Sequence, residues 1–239
     1  MPAYPPFNFS QRPFGERRAL SGFTLIELLV VLAIMGLMAV AVLPVTSSVL
    51  QSSQLSQGAD LVSNALTQAR QIAITKSQQV QVRFYQCTPP GSLVSNQFQA
   101  LQLFAYSTST TSTTTAGTAV AVSKPLLFPP NIIIDPAPNM SSLSVSGSST
   151  NFQSPKTFSN PPSNLTSVLG SSIKYCSFSF YPDGTTNLDS NTSATASSQF
   201  ITISNLHDPN YVHDPTSTPI NFSTVSIDPA NGALHTYRP

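Results

Sequence analysis

The apolar residues of this chain are concentrated in one uninterrupted run near the N-terminus. Residues 23–43 read FTLIELLVVLAIMGLMAVAVL and contain one ionisable side chain, Glu27. About 20 residues at 1.5 Å each span a hydrocarbon core of ~30 Å as one helix. Residues 12–18 supply three arginines against one acid, an excess typical of a cytoplasmic flank. The pattern predicts a single transmembrane helix with its N-terminus in the cytoplasm and all later residues outside.

After residue 43 the apolar residues recur every three or four positions, with one gap of six residues. This spacing predicts an amphipathic helix over residues 44–78 that continues the first helix. We expect Pro44 to kink the helix rather than end it, and Gly58 is its one weak point. The predicted buried stripe is Val45, Val49, Leu55, Ala59, Val62, Leu66, Ala69 and Ala73.

From Gln79 onward the period is two, which indicates antiparallel strands separated by Pro, Gly, Asn and Asp. Asn231-Gly232 predicts a two-residue hairpin turn, and Pro182-Asp183-Gly184 predicts another turn. The fold class is therefore α+β, a long N-terminal helix packed on an antiparallel sheet within residues 79–239. The predicted strands cover 80–84, 101–105, 131–135, 175–181, 200–204, 225–228 and 233–237.

Two segments of low complexity interrupt these strands. Residues 107–118 are mostly Ser and Thr, and residues 136–172 are rich in Ser, Asn and Pro. We expect both to be long surface loops, partly disordered. The Ser/Thr tract is either a flexible linker or a site of O-glycosylation.

The charge composition narrows the function classes. Of 239 residues 8% are charged, against roughly 25% in an average soluble domain. Lys and Arg number 10 and Asp and Glu 9, a net charge of +1. A nucleic-acid binder would carry a basic face, so no nucleic-acid partner is expected. Weakly charged chains rich in Ser and Thr are common outside the cytoplasm.

The apolar run admits three interpretations. A cleaved signal peptide would have a shorter core and a small-residue cleavage site, and Pro44-Val45-Thr46 is a poor one. A plain signal anchor leaves Glu27 unexplained, because a carboxylate in a bilayer costs on the order of 3 kcal/mol. The third interpretation explains more of the residues than the other two. GFTLIE at residues 22–27, followed by LLVVLAI, resembles the class III signal of type IV prepilins and pseudopilins.

That resemblance assigns roles to individual residues. It implies that a prepilin peptidase cuts after Gly22 and methylates the new N-terminal residue, Phe23. Glu27 would pair with the N-terminal amine of a neighbouring subunit during assembly, since a buried charge is tolerated when it is paired. Pro44 matches the proline that bends the family's helix.

A second resemblance covers most of the chain outside the low-complexity segments. LTQARQIAITKSQQVQVRF, FSFYPDGTT, FITISN and VSIDPANGAL resemble minor pseudopilins similar to FimT and to the H subunit of type II secretion (GspH-like). More narrowly, VRFYQ, QALQLF, FYPDGTTNL and STVSIDPANGALHTYRP resemble protein D of the Verru_Chthon cassette. The resemblance implies a pilin-like fold: a leader (1–22), a transmembrane or filament-core helix (23–43), an amphipathic helix (44–78) and an extracytoplasmic β-rich domain (79–239).

The resemblances together imply a non-catalytic structural subunit of a type IV pilus or a type II secretion-like filament. Its expected partners are the prepilin peptidase, other pilins or pseudopilins, the inner-membrane assembly platform and membrane lipid. Its expected location is the inner membrane and then a periplasmic or surface filament. The alternative is a membrane-anchored binding module that does not polymerise.

Few residues suggest other chemistry. Cys87 and Cys176 could form a disulfide in an oxidising exterior, or remain as unpaired thiols. In both His207-Asp208 and His213-Asp214 the aspartate directly precedes a proline, which favours turns over a metal or hydrolytic site. No catalytic residue, metal site or cofactor is expected.

Overall fold

A computed structural model describes residues 22–90, 96–107, 118–145, 151–188, 199–206 and 219–239. Within these ranges the side chains of residues 40–48, 107 and 118 are not described. The chain divides into two compact units, Met1–Thr46 and Ser47–Pro239. The low-complexity residues 108–117 lie outside the described ranges.

One long helix, α1, extends over Leu25–Lys76. Thr24 precedes the helix, and its carbonyl and hydroxyl oxygens both accept from the backbone N–H of Glu27, at 3.1 and 3.3 Å. This is the N-cap geometry that satisfies an otherwise unpaired amide of the first turn. Ser77, directly after the helix, adopts φ +49°, the left-handed conformation typical of helix ends.

The second unit contains a sheet in which every strand pairing of the described residues is antiparallel. The strand order is β10-β9-β8-β5-β2-β1-β7-β6, and β3 and β4 also pair with β2. The strands are β1 (Val80–Cys87), β2 (Gln97–Ser107), β3 (Thr118–Ala121), β4 (Leu126–Leu127), β5 (Ile132–Ile134), β6 (Lys156–Thr157), β7 (Lys174–Phe180), β8 (Gln199–Asn205), β9 (Phe222–Ile227) and β10 (Leu234–Tyr237).

The first core lies between α1 and one face of the sheet. Alternate residues of β1 face it, as a period of two requires, and its rings pack closely: the Phe98 and Phe152 centroids are 4.9 Å apart. The helix contributes six buried residues of the predicted stripe, and Ala65 in addition. Val49 of that stripe is exposed. The helical part of the first core is Leu55, Ala59, Val62, Ala65, Leu66, Ala69 and Ala73.

A second core covers the opposite face of the sheet. It is built around a short helix, α2 (Ser163–Leu169), whose Leu165 and Leu169 are buried. These residues pack against the side chains of β1 and β2 that point away from α1. The second core comprises Tyr85, Cys87, Ala100, Leu165, Leu169 and Ile173.

The α+β class and the helix packed on an antiparallel sheet are confirmed. All seven predicted strands are present, as β1, β2, β5, β7, β8, β9 and β10. The turn at Pro182-Asp183-Gly184 is also confirmed, since the Gly184 amide donates to the Tyr181 carbonyl at 2.9 Å.

Two expectations about the loops need correction. Residues 136–172 are not only surface loop, because they contain β6 and α2 and bury Leu143 and Phe152 in the first core. The β9–β10 connection is not a two-residue turn. It extends from Asp228 to Ala233, where the Asp228 amide donates to the Ala233 carbonyl at 2.9 Å, because Asp228 and Asn231 side chains bond to nearby amides and build a longer loop.

Candidate assembly and processing site

The predicted processing residues lie together where α1 begins. Gly22 precedes the helix, and within the described residues no atom would lie within 4 Å of a Cβ placed there. Phe23 is 80% exposed, and Glu27 is exposed in the first turn. A carboxylate at this position is favoured by the positive end of the helix dipole. The structure therefore brings together Gly22, Phe23 and Glu27 on an accessible helix start.

The helix surface that follows is apolar and exposed. Leu25 is 83% and Met38 66% exposed, and large apolar side chains occupy almost every position between them. Monomeric soluble proteins rarely expose so much contiguous apolar surface, which typically marks an interaction site. Within the described residues, however, no helix is both long and apolar enough to cross a membrane. The helical backbone continues through Pro44, and its predicted kink stays a prediction.

One comparison bears directly on the helix start. The model of the prokaryotic N-terminal methylation motif matches residues 17–43. The chain carries this motif. The match spans the residues on which the resemblance to prepilins rests and confirms it, and the narrower likenesses to FimT and to protein D of the Verru_Chthon cassette stay predictions.

The remaining comparisons add little. Among solved structures, the type IV minor pilin FimU of Pseudomonas aeruginosa (strain PAO1) is 12% identical, with a TM-score of 0.37 over 78% of this chain and 93% of that chain. That similarity is too low to support an argument. No curated protein matches the chain.

The two cysteines are free thiols. Cys176 pairs in register with Phe84 and belongs to the first core, whereas Cys87 belongs to the second core. Their side chains therefore lie on opposite faces of the sheet, and the disulfide that the sequence left open is not formed. Burial raises the pKa of the Cys87 thiol to about 12 and that of Cys176 well above its ordinary value.

The sequence analysis missed an arginine held among aromatic rings. The Arg83 guanidinium carbon lies 4.1 Å from the centroid of Phe104, 5.1 Å from Tyr175 and 5.7 Å from Phe158. We call these four residues the Arg83 platform. The alternation of apolar and polar residues along β1 is enough to predict that Arg83 points away from the first core. Its three ring partners could not be predicted, because they come from three other segments and depend on the strand register.

Other predicted features lie outside this arrangement. His207-Asp208 and His213-Asp214 fall outside the described ranges. In the ranges that are described, no three His, Cys, Asp or Glu side chains converge to hold a metal ion.

An open cavity of about 370 Å³ lies beside α1, lined by Thr67, Arg70, Gln71, Ile74, Thr75, Gly232 and Leu234.

Proposed function

We propose that this chain is a minor pilin or pseudopilin, a non-catalytic subunit that is processed at its N-terminus and assembled through α1. The match of the methylation motif to residues 17–43 carries the proposal. Two features of the described residues support it: the apolar surface between Leu25 and Met38 has no cover, and the rest of α1 packs on a sheet.

Processing is proposed to occur between Gly22 and Phe23. A Cβ atom at position 22 would have no described atom of this chain within 4 Å, so the fold itself gives no steric reason for glycine at the Cβ position. The requirement for glycine is then expected to come from the peptidase that binds this segment. N-methylation of Phe23 follows the cut.

Glu27 is proposed to neutralise the N-terminal amine of an adjacent subunit. The first turn of α1 already presents unpaired amides and the positive end of the helix dipole, so a second positive charge from the new amine is unfavourable there. When apolar helix surfaces pack together, an amine and a carboxylate buried as a pair are tolerated, whereas either one alone is strongly destabilising.

The route of assembly is also part of the proposal. The span that inserts in the inner membrane is residues 23–43, of which the structure describes the side chains as far as Ala39. The prepilin peptidase, the inner-membrane assembly platform, membrane lipid and other pilins or pseudopilins are the partners. The second unit is then exported to the periplasm and displayed in a periplasmic or surface filament.

The test replaces Glu27 with glutamine, which keeps the size of the side chain and removes its charge. The E27Q protein should be cut and methylated normally but appear in sheared filaments at about one-tenth of the wild-type level or less, because an unpaired buried amine costs several kcal/mol. Asp60→Asn is the matched control, since Asp60 is an exposed carboxylate farther along α1. Normal incorporation of E27Q would contradict the pairing.

A further inference from the structure

Arg83 is fixed in place by neutral groups. Its Nε donates to Gln81 Oε1 at 2.7 Å. Burial raises the pKa of the Tyr85 hydroxyl, and the nearby charge of Arg83 opposes that rise. In register, Arg83 lies opposite Gln102 of β2 and Ser177 of β7. Phe104 and Tyr175 are therefore its diagonal neighbours on the same face, within reach of long side chains.

Among the described residues, the strands that surround Arg83 carry cations and no acids. The sequences of β1, β2, β3, β4, β6 and β7 contain no Asp or Glu. Lys156 lies opposite Tyr175 in register, on the same face as Arg83. The described acids lie elsewhere: Glu27 and Asp60 on α1, Asp135 after β5, Asp183 in a turn and Asp228 after β9.

A guanidinium has five N–H donors in a planar fork that matches a carboxylate bidentately. In Arg83 the Nε–H is used by Gln81, which leaves the four N–H donors of the two terminal nitrogens, more than the neighbouring Tyr85 hydroxyl can accept. The rings of the Arg83 platform hold the plane of the fork, so little side-chain entropy is lost when an anion binds. Arg83 is also half-buried, and partial desolvation strengthens a charge-assisted hydrogen bond.

We propose that the Arg83 platform is a docking site for an acidic side chain of a protein partner, with the carboxylate on the Arg83 fork and flanking apolar groups on the rings of Phe104 and Tyr175. The site lies on the face of the sheet that carries the second core, and Arg83 and its three rings are half-buried there. An isolated carboxylate would gain one partly hydrated ion pair there, which is worth little. A partner segment adds contacts with the half-buried rings. The α1 surface used for assembly belongs to a different element, so this proposal does not depend on the proposed function.

The test uses the full-length protein purified in detergent and two amidated peptides, acetyl-Ala-Phe-Glu-Phe-Ala and its counterpart with Gln for Glu. Binding is followed by titration calorimetry and by the 15Nε–1H signal of Arg83. The Glu peptide should shift that signal and bind about 10-fold or more tightly than the Gln peptide, as expected for a desolvated charged hydrogen bond.

Three variants locate the effect. Arg83→Gln should abolish the preference for Glu over Gln. Arg83→Lys keeps the charge and the packing but loses the fork, and should weaken the Glu peptide about 5-fold or more. Arg70→Gln is the matched control, since Arg70 donates to the Asn231 carbonyl on α1's side of the sheet, and it should change binding by less than about 2-fold.

The outcomes separate the alternatives even if Arg83→Gln fails to fold, because Arg83→Lys and the signal of the wild-type protein remain informative. Equal binding of the two peptides would overturn the proposal. If R70Q and R83K lowered the affinity for the Glu peptide equally, the binding would depend on general electrostatic attraction, and this result would also overturn the proposal. Competition by millimolar acetate as effective as the Glu peptide would show a site for small anions, not for a protein partner.

Discussion

Gly58 of α1 lies directly against Ile132 of β5. A Cβ atom on Gly58 would be 2.6 Å from Ile132 Cγ2 and 3.6 Å from Ile203 Cγ2. Glycine is unfavourable in a helix interior by roughly 1 kcal/mol relative to alanine, yet here its missing side chain lets the helix approach the sheet. Gly58, which lowers the helix propensity of this segment, therefore also sets the distance between α1 and the sheet.

Replacing Gly58 with alanine should therefore destabilise the second unit. The gain in helix propensity, about 1 kcal/mol, is outweighed by overpacking against a stiff β-branched side chain, which costs about 1–3 kcal/mol. We expect a net loss of up to about 2 kcal/mol and a melting temperature lower by up to about 8 °C for a unit of this size.

The matched control is Gly36→Ala in the same helix. Among the described residues, no atom lies within 4 Å of a Cβ at Gly36, so this variant should not lower the melting temperature of the second unit. Circular dichroism of the full-length protein in detergent measures both. An unchanged or raised melting temperature for G58A would show that Ile132 moves aside freely.

The C-terminus is predicted to be held on α1 by Arg238. Its Nη1 donates to Ser56 Oγ at 2.6 Å and its Nη2 to Ser52 Oγ at 2.9 Å. All three residues are near the surface, where such contacts contribute about 0.5–1 kcal/mol. Arg238→Gln should lower the free energy of unfolding by that amount, with Lys124→Gln, an exposed cation, as the control.

A double-mutant cycle separates this contact from a general loss of charge. Arg238→Gln should have little further effect in a protein that already carries Ser52→Ala and Ser56→Ala, because the acceptors are gone. Additive effects, measured by urea unfolding, would mean that the contact contributes nothing.

The buried thiols predict a loss of stability in alkali. Burial raises the pKa of Cys87 to about 12 and that of Cys176 well above its ordinary value, and it also raises the pKa of Tyr85, against the opposing charge of Arg83. Well below pH 8 all three groups are protonated in both the folded and the unfolded state, so the free energy of unfolding does not depend on their ionisation there. As the pH rises past 9, unfolded thiols ionise and folded ones do not, and each thiol removes about 1.4 kcal/mol per pH unit.

Urea unfolding at pH 7, 9 and 10 measures this dependence, and Cys87→Ala should reduce the slope between pH 9 and 10. At pH 8 the two cysteines of the native protein should react slowly with a thiol reagent such as Ellman's, since the thiolate is the reactive form. In the unfolded protein both cysteines should react. Rapid labelling of either cysteine in the native protein would contradict the burial.

The sequence predicted the longer elements and missed those too short to show a period. The alternation in Val80, Val82 and Phe84 persists long enough to define β1. By contrast, β4 and β6 have two residues each. The helix α2 has seven residues, of which only Leu165 and Leu169 are buried, and no side-chain hydrogen bond at its N-cap. Such segments are helical or extended because of what they pack against.

The candidate sites divide in the same way. Gly22, Phe23 and Glu27 were identified because their signal is contiguous in the sequence. The separation of Cys87 from Cys176 and the ring partners of Arg83 depend on strand register, in which a shift of one residue exchanges the faces of the sheet. No local pattern contains that information.

The most direct test of the account is N-terminal mass spectrometry of the protein from its native membranes. We predict a chain that begins at N-methylated Phe23 and lacks residues 1–22. A chain that begins at Met1, or at any residue other than Phe23, would contradict the proposed processing and the assembly that depends on it.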